Sequence, residues 1–85
     1  RESGILEAVV ELGLSYACLG EFEAAIKYFK KAFEASRDVE ICTNIIMCYL
    51  NLNDLENAKL HLDIAKNLNP EDEIVKQLDT MINKG

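Results

Sequence analysis

The chain repeats itself at a distance of 33 residues, and this constrains its fold more than any single motif does. Shifted by that distance, Tyr16 meets Tyr49, Leu19 meets Leu52, Glu23 meets Glu56, Ala25 meets Ala58, Ala32 meets Ala65 and Glu7 meets Glu40. Similar residues fill the gaps, with Leu12 falling on Ile45, Phe22 on Leu55 and Phe29 on Leu62. Inside a unit the apolar residues recur at intervals of three and four. Val9, Leu12, Gly13 and Tyr16 make one stripe, and Phe22, Ala25, Ile26, Phe29, Ala32 and Phe33 make a second, with charges lying between them. That spacing predicts two amphipathic helices per unit. A period of this length built from two helices indicates stacked hairpins, each burying its apolar face against the next.

Two glycines interrupt the first unit, and they have different uses. A glycine inside a helix costs about 1 kcal/mol relative to alanine, so each needs a reason. Gly20 follows Leu19, where the first stripe ends and Glu21 leads into the next helix, so it is read as a left-handed helix stop. Gly13 lies on the stripe itself. With Ala25 and Ala32 it forms a set of small residues, placed where the two helices of one hairpin cross closely. Further on, "NPEDE" offers Asn69 as a helix cap, Pro70 at the first helical position and acids in the first turn. A fifth helix should follow, with Ile74, Val75, Leu78, Met81 and Ile82 on one face and Glu73, Lys76, Asp79 and Lys84 outside.

These residues resemble the tetratricopeptide repeat family, whose pattern runs W-x2-L-G-x2-Y, then A-x3-F, then P. The first unit supplies Leu12, Gly13, Tyr16, Ala25 and Phe29, and the second keeps Tyr49, Ala58, Ala65 and the closing Pro70. Val9 and Cys42 replace the tryptophan, Arg37 replaces the first proline, and Ile46 stands where the first unit has Gly13, with Ala58 and Ala65 leaving room for it. The resemblance implies an all-α fold of stacked antiparallel helical hairpins, a right-handed superhelical solenoid of five helices. It divides a single domain, 1–85, into repeat one at 6–38, repeat two at 39–72 and a capping helix at 71–84. Two repeats fall short of the roughly three that a stable stack needs. Further repeats upstream, or self-association, are therefore expected, and a chain that begins with Arg1 reads as an excised piece.

Composition narrows the functions. The hydrophobic fraction of 49% with 28% charged residues is ordinary for a soluble domain, and no apolar run approaches the roughly 20 residues of a membrane span. A net charge of −6 opposes nucleic acid and anionic membranes, which need clustered Lys and Arg. The short basic run "KYFKK" places Lys27, Lys30 and Lys31 on the outward side of a helix. Cys18, Cys42 and Cys48 are odd in number and set among apolar residues, so they read as small hydrophobes in a reducing, cytoplasmic setting. The step from Cys42 to Cys48 is neither a CxxC pair nor a same-face helical spacing, so no metal is expected. His61 has no nucleophile arranged beside it, and Gly20 alone makes no phosphate loop, so neither enzyme activity nor a cofactor is expected.

What remains is protein binding. In the family that the chain resembles, the first helices of successive units line a concave groove that takes up peptides or helices. Matching columns selects Glu7, Val10, Glu11, Leu14, Ala17 and Cys18 from the first unit, and Glu40, Thr43, Asn44, Met47, Leu50 and Asn51 from the second. One branch of the family clamps acidic chaperone tails with basic and amide residues, but Val10, Leu14, Ile74 and Leu78 stand at those positions and only Asn44 matches. The expected partner is instead a protein or peptide with apolar anchors and basic flanks, because Glu7, Glu11 and Glu40 lie beside Val10, Leu14, Met47 and Leu50. The alternative is architectural: a segment of a longer helical-repeat protein, or a self-associating unit, whose apolar residues are covered by more of the same kind.

Overall fold

The structure is a computed structural model and describes residues 2–84. Five helices follow one another: α1 (Glu2–Cys18), α2 (Phe22–Ser36), α3 (Val39–Asn51), α4 (Leu55–Leu68) and α5 (Glu73–Lys84). α1 packs on α2 and α3 on α4 as two hairpins, α3 lies against α2, and α5 covers α4. Among the described residues there is no strand. This is the stack of hairpins that the 33-residue period demands.

The two hairpin turns are built alike. After α1, Glu21 N–H donates to the Tyr16 carbonyl at 2.8 Å and Gly20 N–H to that of Ala17 at 3.0 Å, with Gly20 left-handed at φ 82°. After α3, Asp54 N–H donates to the Tyr49 carbonyl at 2.9 Å and Asn53 N–H to that of Leu50 at 3.0 Å, with Asn53 left-handed at φ 60°. These paired bonds satisfy carbonyls that the helix end would otherwise leave open. Gly20 is the helix stop that its position implied, and asparagine, which tolerates this backbone better than most residues, does the same work 33 residues later. Arg37 ends α2 in the same region at φ 55°, with its guanidinium 5.2 Å from the Phe33 ring centre.

Aspartates cap the starts of α3, α4 and α5. Asp38 accepts from Glu40 N–H at 2.9 Å at the start of α3, and Asp54 accepts from Asn57 N–H at 3.2 Å at the start of α4. At α5 the structure corrects the sequence reading. Asp72, not Asn69, caps the helix, accepting from Val75 N–H at 3.1 Å, while Asn69 accepts from Glu71 N–H in a separate turn that contains Pro70. A carboxylate oxygen takes the cap because it is the stronger acceptor and complements the positive end of the helix.

The core comes from four of the five helices. α2 contributes Ala25, Ile26, Phe29, Ala32 and Phe33, and α3 contributes Ile41, Cys42, Ile45, Ile46, Cys48 and Tyr49. Ala58, Leu62 and Ala65 of α4 and Val75, Leu78 and Ile82 of α5 complete it. α1 lends half-buried Leu6, Val9, Val10, Tyr16 and Ala17 to its edge, and among residues 4–18 of that helix only Gly13 is buried. A Cβ added to Gly13 would lie 2.7 Å from the Phe29 ring. The small residue therefore does bring the helices together, but its partner is an aromatic ring rather than Ala25 or Ala32. In the second hairpin the corresponding pair is Ile46 and Leu62, 0% and 2% exposed, so a side chain gained on one helix is offset by a smaller one on the other. A second pairing repeats too: Tyr16 stacks on Tyr28 with centroids 5.5 Å apart, and Tyr49 meets the His61 ring at 5.2 Å.

Three expectations about burial fail, each for a neighbour that sequence does not show. Leu12, read as a core residue, is 45% exposed, because nothing among the described residues lies on that side of α1 as α2 lies on α3. Ile74 and Met81 are exposed while Val75, Leu78 and Ile82 are buried, so the inward stripe of α5 is narrower than the apolar set. Asp79 is half-buried rather than outside, and its carboxylate meets the Lys66 ammonium of α4 at 3.4 Å.

Candidate functional site

A groove of about 630 Å³ opens between α1 and α3. Leu6, Val10 and Leu14 recur every four residues along α1, so they fall on one side of that helix and form one wall. Ile41 and Asn44 of α3 form the facing wall, and Ser36 at the end of α2 and Asp38 of the connection that follows close one end. Carboxylates rim this apolar lining: Glu7 and Glu11 on α1, Asp38 and Glu40 at the start of α3. None of the lining residues is basic. Such a surface attracts positive charge over a distance and gains binding free energy from apolar contact once a ligand is seated.

Of the residues that the sequence selected, the groove brings together Glu7, Val10, Glu11, Leu14, Glu40 and Asn44. Thr43 does not join them. It is 3% exposed, and its hydroxyl proton is donated to the Glu40 carbonyl of its own helix at 2.7 Å. Ala17, Cys18, Met47, Leu50 and Asn51 lie outside the lining, on the later turns of α1 and α3. Met47 is exposed, Leu50 is half-buried against the core, and the Asn51 amide donates to the Met47 carbonyl at 2.9 Å. Four lining residues escaped the sequence reading. Leu6 was legible in the four-residue spacing with Val10 and Leu14, whereas Ser36, Asp38 and Ile41 enter only because the chain crosses from one hairpin to the next at that end.

The remaining chemistry-bearing side chains are engaged in structure. The Cys42 thiol donates to the His61 carbonyl at 3.4 Å, and burial pushes its pKa up to about 11 against a small opposing pull from Arg37. Burial raises the Cys48 thiol as well. Both are thereby kept protonated and unreactive near neutrality. His61 is buried, with Nδ1 2.9 Å from the Asn57 carbonyl, which fixes the proton on that nitrogen because a carbonyl can only accept. Among the described residues no group of three or more His, Cys, Asp or Glu is placed to hold a metal ion. No helix of the described residues is long and apolar enough to cross a membrane.

Paired helices stacked at a 33-residue period, with a groove between the first helices of successive pairs, define a helical-repeat protein. The profile described as Tetratricopeptide repeat matches residues 6–38, the whole first unit. A 63-residue stretch, 73% of this chain, is 35% identical to BBSome complex member BBS4 of Xenopus tropicalis, of which it spans 12%. With the fold, these support the assignment of the chain to the tetratricopeptide repeat family. Repeats of this family are non-catalytic and generally mediate interactions between proteins.

Proposed function

We propose that this chain is a non-catalytic protein-interaction module that holds a peptide or helix of a partner in the groove between α1 and α3. The observation that carries this reading is the meeting of Val10 and Leu14 with Ile41 and Asn44 inside a rim of four carboxylates. The ligand that suits it has apolar anchors flanked by Lys or Arg, since burial provides affinity and opposite charge guides the encounter. A longer ligand would run on past the groove over Ala17, Cys18, Met47, Leu50 and Asn51. The unit that does this is repeat one, 6–38, read with repeat two, 39–72, and closed by the helix of 71–84. A cytoplasmic setting accords with free thiols at Cys18, Cys42 and Cys48. The description of the relative as a complex member accords with a binding role.

The test is a peptide selected from a library of basic amphipathic sequences, titrated at two salt concentrations against three variants. Leu14→Glu places a charge among the anchors and should weaken binding by about tenfold or more. Glu11→Lys should act mainly on association rate and salt dependence. Lys30→Glu, on α2 and outside the groove, should bind as the parent does. If Leu14→Glu folds and binds normally while Lys30→Glu abolishes binding, the groove is not the contact surface.

The architectural reading has its own support. Ile5 and Leu12 of α1 and Leu19 just past its end follow one another at intervals of seven and are 65%, 45% and 75% exposed. Ile45, in the column of Leu12, is 0% exposed in a helix that lies against α2. An additional hairpin stacked on α1 would cover that stripe as α2 covers α3. Sedimentation across concentration separates the readings, because a stable monomer leaves α1 open to a partner.

A further inference from the structure

A second cleft, of about 510 Å³, lies between the first turns of α1 and the last turns of α2 and adjoins the groove at Leu6, which lines both. Two features of the chain create it. α1 begins at Glu2, a full turn earlier than α3 begins in the repeat register, so Ile5 overhangs the end of α2 where the second hairpin has only the cap residue Asp38. Beneath that turn, Lys31 and Ala35 of α2 stand where α4 has Ile64 and Leu68. Larger apolar side chains narrow the space in the second hairpin, Ile64 half-buried against the core and Leu68 40% exposed, and Cys42 is 0% exposed. The first hairpin leaves it open, with Val9, Ala32 and the Tyr28 ring in the lining.

The charge of this cleft is opposite to that of the groove. Lys31 lies in its wall, Lys27 is one turn earlier on the same helix, and no carboxylate is among the lining residues. Glu34, three residues after Lys31, is exposed outside the lining. The ion pairs of the described residues, Lys66 with Asp79 and Lys76 with Glu71, do not involve Lys31.

We infer that the cleft between α1 and α2 is a second docking site, for a protein segment that carries a large apolar side chain next to Asp or Glu. The apolar side chain seats against Ile5, Val9, Tyr28 and Ala32, where the second hairpin carries the larger Ile64 and Leu68 in place of Lys31 and Ala35, and the carboxylate meets the Lys31 ammonium. Together the two sites let α1 hold segments of opposite charge on two of its sides. This inference does not depend on the groove between α1 and α3 being occupied.

The test uses two acetylated hexapeptides, Asp-Glu-Leu-Phe-Asp-Asp and its charge-reversed form Lys-Arg-Leu-Phe-Lys-Lys, titrated into the nitrogen-15-labelled protein. The acidic peptide should shift the amide signals of Ile5, Val9, Lys31 and Ala35 and leave those of Glu7, Glu40 and Asn44 in place. The basic peptide should leave the cleft signals unmoved. The double variant Lys31→Ile with Ala35→Leu, which copies the second hairpin, should lower the affinity for the acidic peptide by about tenfold or more without lowering the melting temperature. Lys31→Glu should weaken it through charge alone. The inference is overturned if the acidic peptide shifts only the groove or nothing at all, if the filled variant binds as the parent does, or if the cleft signals move with protein concentration in the absence of peptide, which would mean that a second copy covers it.

Discussion

The two hairpins are written in nearly the same pattern, yet one is a core and the other is a surface. α3 buries seven residues, from Ile41 to Tyr49, while α1 buries the backbone of Gly13 and little else. The contrast is sharpest in matched columns, where Ile45 is 0% exposed and Leu12 is 45% exposed. Their chemistry hardly differs; their neighbours do. α3 lies between α2 and α4, whereas α1 has α2 on one side. In a stack of repeats, then, an apolar column is a capacity for burial, and position in the stack decides whether it is used.

The largest test of that contrast is Ile45→Ala against Leu12→Ala. The first should cost about 2 to 5 kcal/mol by leaving a cavity between α2 and α4, and the second well under about 1. Denaturant unfolding of both measures the difference, and equal losses would dissolve the distinction between the hairpins.

Next in size is the exchange of side-chain volume across each hairpin. Gly13→Ile forces a side chain into the Phe29 ring and should cost roughly 1 to 3 kcal/mol. Adding Phe29→Leu, which reproduces the Ile46 and Leu62 pair, should recover a large part of that loss. A double-mutant cycle reads the coupling directly. If the two changes simply add, the two hairpins do not share one packing solution.

A smaller effect, confined to alkaline solution, belongs to the second hairpin alone. The folded Cys42 thiol has its pKa at about 11, above the ordinary 9.0, so the folded state holds its proton more tightly than the unfolded chain does. Stability from this source is fully present below pH 9 and is lost as pH rises toward 11. Melting temperature followed over that range should fall, and Cys42→Ala should flatten the decline. Cys18, exposed on α1, should react with a thiol reagent in the native protein while Cys42 and Cys48 stay protected.

The least change expected is at the turns. Asn53→Gly converts the second turn to the residue of the first and should gain up to about 1 kcal/mol, because glycine carries no side-chain penalty at φ 60°. Gly20→Asn should lose a similar amount. No difference in either direction would mean that the side chain of Asn53 offsets its own strain.

Much of this was written in the sequence. The period of 33 residues gave helix number and pairing, because register repeats only when each unit meets its neighbour in the same way. Gly20 marked a helix end through its backbone freedom alone. Half of the groove was legible as well, since Val10 and Leu14 share a face of α1 at any depth of burial. The rest was not, because it depends on what crosses what. Thr43 occupies a groove column but is buried with its hydroxyl returned to Glu40, and Ser36 and Asp38 reach the groove only through the path of a connection. The cleft beneath Ile5 needed a comparison of volumes, Lys31 and Ala35 against Ile64 and Leu68, that periodicity does not register.

The half-covered state of α1 also sets an order of opening. Local unfolding starts where fewest contacts are lost, so α1 can peel from α2 at a lower cost than α3 can leave its place between two helices. Its amide hydrogens should exchange with solvent sooner than those of α3 and α4, and at rates that a global melt would not reveal. Both surfaces proposed for partners have α1 as one wall. A ligand in either would be bound only while that helix is seated, so its binding free energy is added to the cost of letting α1 go. Occupancy would then be recorded as slowed exchange along the whole of Glu2–Cys18, including turns that no ligand touches.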